Sequence, residues 1–363
     1  MALIWLERVI DPSAFWAGWE KLVAETGAGP RAARSFFDWQ SGISQSRGFG
    51  VGDRSFLALR DGKPIAAAVV PIEQLDGRRQ ISLVGEYTLA PLVADPGVWK
   101  DVMGHLTEAA EAERTECIKL MFDPLDDHPY NLLQRFGFLD ASILAYAIDL
   151  DPARNLLTAG RHGHEYDIKR ILRDPDIEPF VVDRETSDAY ERHEIYRALH
   201  EKCAGRVTRP KETFDAQFAQ LERGEAMMVG LRYRGSPAVC AYFEFQNGKA
   251  LYASGADDPD VTGKPLYHGM LYTAMQELQR RGVRSIDTGQ PASPSAQRDC
   301  YPDAKQRNIA LFKRGFVGDF RPYYRGVKYC SRAAFESDER LFTERYAETL
   351  PDACASPEKT VNS

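Results

Sequence analysis

FLALRDGKPIAAAVVPIEQ, residues 56–74, reads as a β-hairpin: a β-rich run ends in Leu-Arg, a short turn carries Gly62 and Pro64, and a second apolar run follows. The pattern returns as MVGLRYRGSPAVCAYFEFQ, residues 228–246, with Gly235 and Pro237 in the turn and one extra turn residue. Two copies of one supersecondary pattern in one chain point to an internal duplication.

The copies continue in the same order. Each hairpin leads to a further strand, RQISLVGEYTLAPLV at 79–93 and KALYASGADD at 249–258, and then to a helix. In the first copy Asp95 is the N-cap with Pro96 at the first helical position, and Trp99, Val102, Met103, Leu106 and Ala110 share a face. In the second, Pro265 opens a helix with Leu271, Ala274, Met275 and Leu278 on one face and Gly282 beyond its end. Each copy then has a strand (CIKLMF at 117–122, VRSIDTG at 283–289), a segment that turns helical, and a terminal β segment, LLQRFGFLDASILAYAIDL at 132–150 against ALFKRGFVGDFRPYYRGVKY at 310–329. This alignment puts Lys313 and Arg314 at the end of a helix. Helices also precede each copy: residues 11–25 with Phe15, Trp16, Trp19, Leu22 and Val23 at helical spacing, and residues 213–224 with Phe214, Phe218 and Leu221. Such aromatics most often pack a core.

At 363 residues with 44% apolar composition the chain is long enough for two cores. The division expected is residues 1–150, 151–335 and a C-terminal helix and frayed tail at 336–363. No apolar run reaches the roughly 20 residues that span a bilayer, and MALIWLERVI lacks the basic start of a signal peptide, so a cytoplasmic address is expected. The six cysteines (117, 203, 240, 300, 330 and 354) are scattered, without a CxxC pair, and read as reduced thiols. His162 and His164 diverge on a helix, so no metal site is expected. No GxSxG, Walker loop or Cys–His arrangement suggests hydrolase, nucleotidase or thiol chemistry.

The order helix, hairpin, strand, helix, strand, helix, strand, with a Gly-Phe at the last helix-to-strand junction, resembles the GNAT acyltransferase fold. LLQRFGF in particular is similar to the way many of its members end. Two such units, the second carrying DTG and then FKRGF, resemble the tandem-domain FemAB-like peptidyltransferases over most of residues 1–332. The resemblance implies an α+β fold with two GNAT-like domains, each a mixed, mostly antiparallel sheet flanked by helices. It also implies an enzyme that transfers an acyl or aminoacyl group to the amine of a small or nucleotide-linked acceptor. The donor expected is acyl-CoA or aminoacyl-tRNA, used as co-substrate without a tightly bound cofactor. The Gln or Arg and spaced glycines of the usual pyrophosphate loop are not intact in either copy. DVTGKPLYHGM at 260–270 keeps Gly263 and Gly269 and adds Lys264, which makes these three the candidate donor-binding residues.

The resemblance places a functional Lys at Lys313, following Phe312, where it would stabilise negative charge; a cation that merely complements the helix dipole is the plain alternative. Asp287 ends a strand and either binds substrate, acts as a base or forms a turn before Gly289. Gln290, Tyr252, Tyr267 and Phe312 are candidate substrate contacts or packed side chains. Residues 298–332 hold nine Lys or Arg against three Asp, a local +6 in a chain of net charge −7. Lys305, Arg307 and Arg314 in this run are candidate phosphate ligands, Tyr301, Phe320, Tyr323 and Tyr324 candidate stacking surfaces, and residues 161–174 a second basic surface. The first copy lacks counterparts of DTG and Phe-Lys and is expected to be mainly scaffold. The rival readings are a conventional acetyl-CoA-dependent N-acetyltransferase and a non-catalytic binding protein for a phosphorylated ligand or RNA.

Overall fold

The computed structural model describes residues 3–291 and 302–348, with the side chains of 290 and 291 left out. The first half runs β1 (Ile4–Glu7), α1 (Pro12–Thr26), a 3-10 turn (Pro30–Ala32), α2 (Arg34–Ser46), β2 (Gly50–Asp53), β3 (Phe56–Arg60), β4 (Lys63–Ala68), β5 (Pro71–Leu75) and β6 (Arg78–Ile81). It continues with β7 (Thr88–Leu89), β8 (Leu92–Val93), α3 (Trp99–Ala112), β9 (Cys117–Met121), β10 (Leu139–Asp140) and β11 (Ile143–Asp149). The second half runs α4 (His162–Leu172), β12 (Ile177–Val182), α5 (Ala189–Ala204), α6 (Lys211–Glu222), β13 (Ala226–Tyr233), β14 (Ser236–Gln246) and β15 (Lys249–Asp257). Then follow α7 (Leu266–Arg280), β16 (Ser285–Pro291), α8 (Ala304–Lys313), β17 (Gly318–Tyr323), β18 (Arg325–Tyr329) and α9 (Arg332–Ala347). No helix among the described residues is long and apolar enough to cross a membrane.

The local signals act as the sequence predicts. Asp11 accepts a hydrogen bond from the Ala14 amide at 2.9 Å and Pro12 starts α1, and Asp95 accepts from the Gly97 amide to open a 3-10 turn that leads into α3. Both hairpins form, β3–β4 and β13–β14. Their turns are alike: Asp61–Gly62 and Arg234–Gly235 are both two-residue turns with positive φ. The extra residue of the second copy, Tyr233 after the Leu-Arg pair, therefore lies in the strand and not in the turn, and both hairpins carry the same register shift, at Ala58/Leu59 and at Leu231/Arg232. Trp16 and Trp19 pack among Phe15, Leu22 and Phe37, and the Trp19 indole donates to the Ala32 carbonyl at 2.7 Å, so this pair is core and no ligand cage.

The sheets do not follow the chain halves. Strand β11 lies between β16 and β17, antiparallel to both, in the order β12-β13-β14-β15-β16-β11-β17. In return β18 lies between β9 and β10 of the first half. Each half gives its last strand to the other's sheet, although each terminal β segment reads in sequence as closing its own copy. Alternation identifies a strand but does not name its partner. What the sequence does hold is the run Ala145–Ile148, apolar on both faces and buried on both, as a central strand requires.

The core is correspondingly shared: Leu251 of β15 packs with the α1–α2 cluster of the first half. Residues 1–150 expressed alone are therefore expected to give a collapsed chain without a dispersed amide NMR spectrum, because β9 lacks β18 and β11 has no sheet. Co-expression with residues 151–363 should restore the dispersion, and a well-folded isolated first half would refute the exchange.

Candidate active site

Strands β15 and β16 run parallel and pair only from Lys249↔Ser285 to Leu251↔Asp287. Beyond that point β15 continues along β14 while β16 follows β11, and the two separate. The gap is the floor of a cavity of about 620 Å³. Tyr252, Ser254 and Asp257 face it from β15, Thr288 and Gly289 from β16, Lys305, Phe312 and Lys313 from α8, and Tyr267 from α7. Arg31, Phe36, Trp39 and Gln40 close it from the first half.

Lys313 ends α8, whose other end is fixed by a capping box between Asp303 and Gln306. Its side chain is 4% exposed, so it is no solvated cation at a helix end. The amine leaves its own helix, donates to the Thr288 carbonyl at 2.5 Å and sits 4.1 Å from the centre of the Tyr252 ring. Burial pushes its pKa down to about 7, and the Asp287 charge only partly opposes that shift. The following Gly315 is no left-handed cap either; a Cβ there would meet the His164 ring at about 2.0 Å, so the glycine admits that ring beneath the helix end.

Asp287 is 1% exposed and its oxygens are occupied. One accepts from the Gly289 amide at 3.0 Å and the other pairs with Arg31. Arg31 reaches on to Asp123 at 3.1 Å, just beyond β9, and lies over the Tyr323 ring. This buried Asp–Arg–Asp chain ties the 3-10 turn and β9 of the first half to β16 of the second. Through it and the Gly289 amide both Asp287 oxygens are engaged. Burial holds the Asp123 pKa above the usual carboxylate range against the pull of Arg31, whose own pKa is raised by the two carboxylates despite its burial. Sequence reading missed Arg31 and Asp123: nothing in GPRAA marks its Arg as buried, and MFDP shows an Asp after a strand without showing its partner.

The remaining candidates divide. Tyr252 is the ring beneath the Lys313 amine, with its phenol pKa pushed up by burial. Phe312 lines the cavity and packs on His164 and His268, and Tyr267 donates to Asp257 at 3.3 Å across the cavity wall. Lys305 stands at the rim, exposed.

The proposed donor loop does not assemble. The Gly263 carbonyl accepts from Arg170 at 2.6 Å, Lys264 is paired with Asp174, and a Cβ on Gly269 would lie 2.4 Å from Ile171, which makes it a packing position between α7 and α4. Arg307 donates to the Pro302 carbonyl at 2.9 Å, and the Arg314 Nε is buried without a hydrogen-bond partner. The basic stretch is dispersed as well. Arg325 is buried over the Tyr87 ring, Lys328 reaches Thr107, and Arg332 pairs with Glu336. Phe320 is half-exposed against Tyr146, Tyr323 lies under Arg31, and Tyr324 packs in the first-half core. The Gln290 side chain, Arg298, Asp299, Cys300, Tyr301 and Cys354 lie outside the described residues. His162 is exposed while His164 is buried with Nε2 against the Phe312 carbonyl at 2.8 Å, so the two do not converge. A second cavity, also about 620 Å³, runs along the start of α7 past Lys264 and His268 to Asn308 and shares Tyr267, Lys305, Ile309 and Phe312 with the first.

No protein-family model matches the sequence, and no curated protein matches it. Solved structures do. FemX aligns over 88% of this chain and 98% of its own with a TM-score of 0.65 at 14% identity. L-PGS from Bacillus licheniformis aligns over 90% and 95% with a TM-score of 0.58 at 14% identity. The C-terminal domain of an Agrobacterium fabrum protein assigned as a lysylphosphatidylglycerol synthetase gives 90%, 96%, 0.57 and 14%. The chain therefore has the α+β fold of FemX, with helices flanking mixed sheets.

Proposed function

We propose that the chain is a transferase that forms an amide, moving an acyl group, and by preference an aminoacyl group, onto the amine of a small or nucleotide-linked acceptor in the cavity between β15 and β16. The observation that carries this reading is Lys313: a buried amine, held by the Thr288 carbonyl at 2.5 Å, at the point where the two strands part. In the reaction the amine nitrogen bonds to the donor carbonyl, the carbonyl's bond to the leaving oxygen or sulfur breaks, and the amine's proton ends on that leaving atom. Negative charge grows on the carbonyl oxygen and then on the leaving atom. A nearby ammonium in a site shielded from water stabilises both. Phe312 and Tyr252 shield it, and the Arg31 chain fixes the strand that carries its acceptor carbonyl.

The donor preference is supported by the loop before α7, which is occupied by Arg170 and Asp174 and offers no basic cradle for a pyrophosphate. One structural neighbour is by name a lysylphosphatidylglycerol synthetase, an aminoacyl product on the same fold. The test is calorimetric titration with acetyl-CoA and with an amide-linked aminoacyl-CCA trinucleotide, each repeated on Lys313→Ala. Micromolar binding of the trinucleotide, weakened about tenfold in the variant, is expected. Tight binding of acetyl-CoA alone would make the protein a CoA-dependent N-acetyltransferase. Binding untouched by Lys313→Ala would place Lys313 away from the bound donor, and turnover untouched by it would remove Lys313 from the mechanism.

A further inference from the structure

Behind the first-half wall of the cavity lies a group of buried polar atoms without partners. Helices α2 and α6 pack together here, beside a row of residues, Glu244, Leu251 and Asp287, that face one another across β14, β15 and β16. Glu244 is 2% exposed, and neither of its carboxylate oxygens has a hydrogen-bond partner; the Gln220 amide lies close without the alignment for a bond, and its own oxygen is also unpartnered. Two donors in the group are equally orphaned, Trp39 Nε1 and Arg209 Nε. The Arg209 guanidinium lies 5.5 Å from the Trp39 ring centre and donates to Gln217 at 2.7 Å.

The group borders the cavity directly. Trp39 and Arg31 line it, and Gln217 donates at 3.0 Å to Ser254, which also lines it. Buried polar atoms are nearly always bonded, and several orphans of both kinds side by side mark a place where a polar group from outside the chain completes the network. The acceptors are the Glu244 carboxylate and the Gln220 oxygen, and the donors are Trp39 and Arg209. Their complement is a cationic donor next to an oxygen acceptor, which is the arrangement of an α-amino acid unit. Burial pushes the Glu244 carboxyl up to about 8 against the opposing influence of Gln220, Arg31 and Arg209, so an added positive group is what would hold it ionised.

We propose that Glu244, Gln220, Trp39 and Arg209 form a subsite for the amino-acid portion of the substrate, with its ammonium on Glu244 and its carbonyl or carboxylate oxygen toward Trp39 and Arg209. The inference rests on the reading of the cavity as the substrate site, and it names an amino-acid-bearing substrate class. The test is calorimetric titration of the full chain with L-alaninamide and with N-acetyl-L-alaninamide, which keeps the carbonyl but has no ammonium, on wild type, Glu244→Gln and Trp39→Phe. L-alaninamide should bind saturably, acetylation and Glu244→Gln should each weaken binding at least tenfold, and Trp39→Phe severalfold. Equal binding of the two probes, indifference to Glu244→Gln with the variant folded by circular dichroism, or no saturable binding would overturn the subsite. So would a crystal structure grown with L-alaninamide in which only water meets Glu244. These readouts need no turnover, so their failure leaves the Lys313 and donor titrations to stand or fall separately.

Discussion

Lys313→Met is expected to lower kcat by on the order of 10²–10³ and at the same time to raise the stability of the folded chain at pH 7. The two effects share one cause. The wild-type amine is buried, and its pKa falls from 10.5 to about 7 for lack of solvation. Between about pH 7 and 10.5 the unfolded chain binds more protons at this site than the folded chain, so the wild type gains stability as pH rises through that window and bears the full penalty below it. Methionine fills similar space without a charge and removes the penalty, while the lost bond to Thr288 costs about 1 kcal/mol. A net gain of about 3–4 kcal/mol at pH 7 and below is expected, shrinking toward pH 10. A lysine that merely answered a helix dipole would behave in the opposite way, its removal costing about 0.3–1 kcal/mol with no change in rate. Urea unfolding at pH 6, 7.5 and 9.5 separates the two accounts, and a variant less stable than wild type at every pH would rule out the buried amine. In the proposed role the ammonium is the useful form, so wild-type kcat should also fall as pH rises through the Lys313 pKa.

The parts of this site that sequence discloses are those that depend on neighbours along the chain. Caps at Asp11 and Asp95 and the paired hairpins follow from residues within a turn or two of each other, and the placement of Lys313 at a helix end follows from matching the two copies. The repeated order of elements makes the tandem fold legible for the same reason. What the sequence withholds is decided across the chain. The exchange of β11 and β18 depends on which sheet offers an unfilled place, and both segments satisfy a strand pattern in either sheet. The run from 298 to 332 reads as one basic face, yet its side chains leave α8, β17 and β18 toward different surroundings, and Arg325 is buried while Arg332 is not. Gly269 looks like a phosphate-loop glycine, but Ile171, nearly a hundred positions earlier, is what demands it. Arg31 shows the limit most clearly. It stands 92 positions from one carboxylate partner and 256 from the other.

Arg31→Met is accordingly expected to be the most destabilising single change in the site. Asp123 and Asp287 are each within 2% of full burial, and the substitution leaves both without their shared counter-charge. Removing one partner from a buried ion network typically costs 3–5 kcal/mol, so about that loss is expected at pH 7. The sign of its pH dependence is fixed by the carboxylates. Without Arg31 the buried Asp123, already held above the usual carboxylate range by burial, rises further, so the folded variant binds more protons than the unfolded chain and its stability falls as pH increases above about 4. The gap between wild type and variant should therefore be smallest near pH 4–5 and widen toward pH 7. Adding Asp123→Asn and Asp287→Asn should recover part of the stability, since the uncompensated charges are gone. It should not recover activity, because β16 would still lack its tie to the first half. In Arg31→Met itself the freed Asp287 charge acts more strongly on Lys313, which raises the amine's pKa and moves the alkaline fall of kcat to higher pH. A variant as stable as wild type at pH 7, or one whose alkaline limb stays in place, would show that Arg31 does not hold the two halves and the Lys313 amine in one charge network.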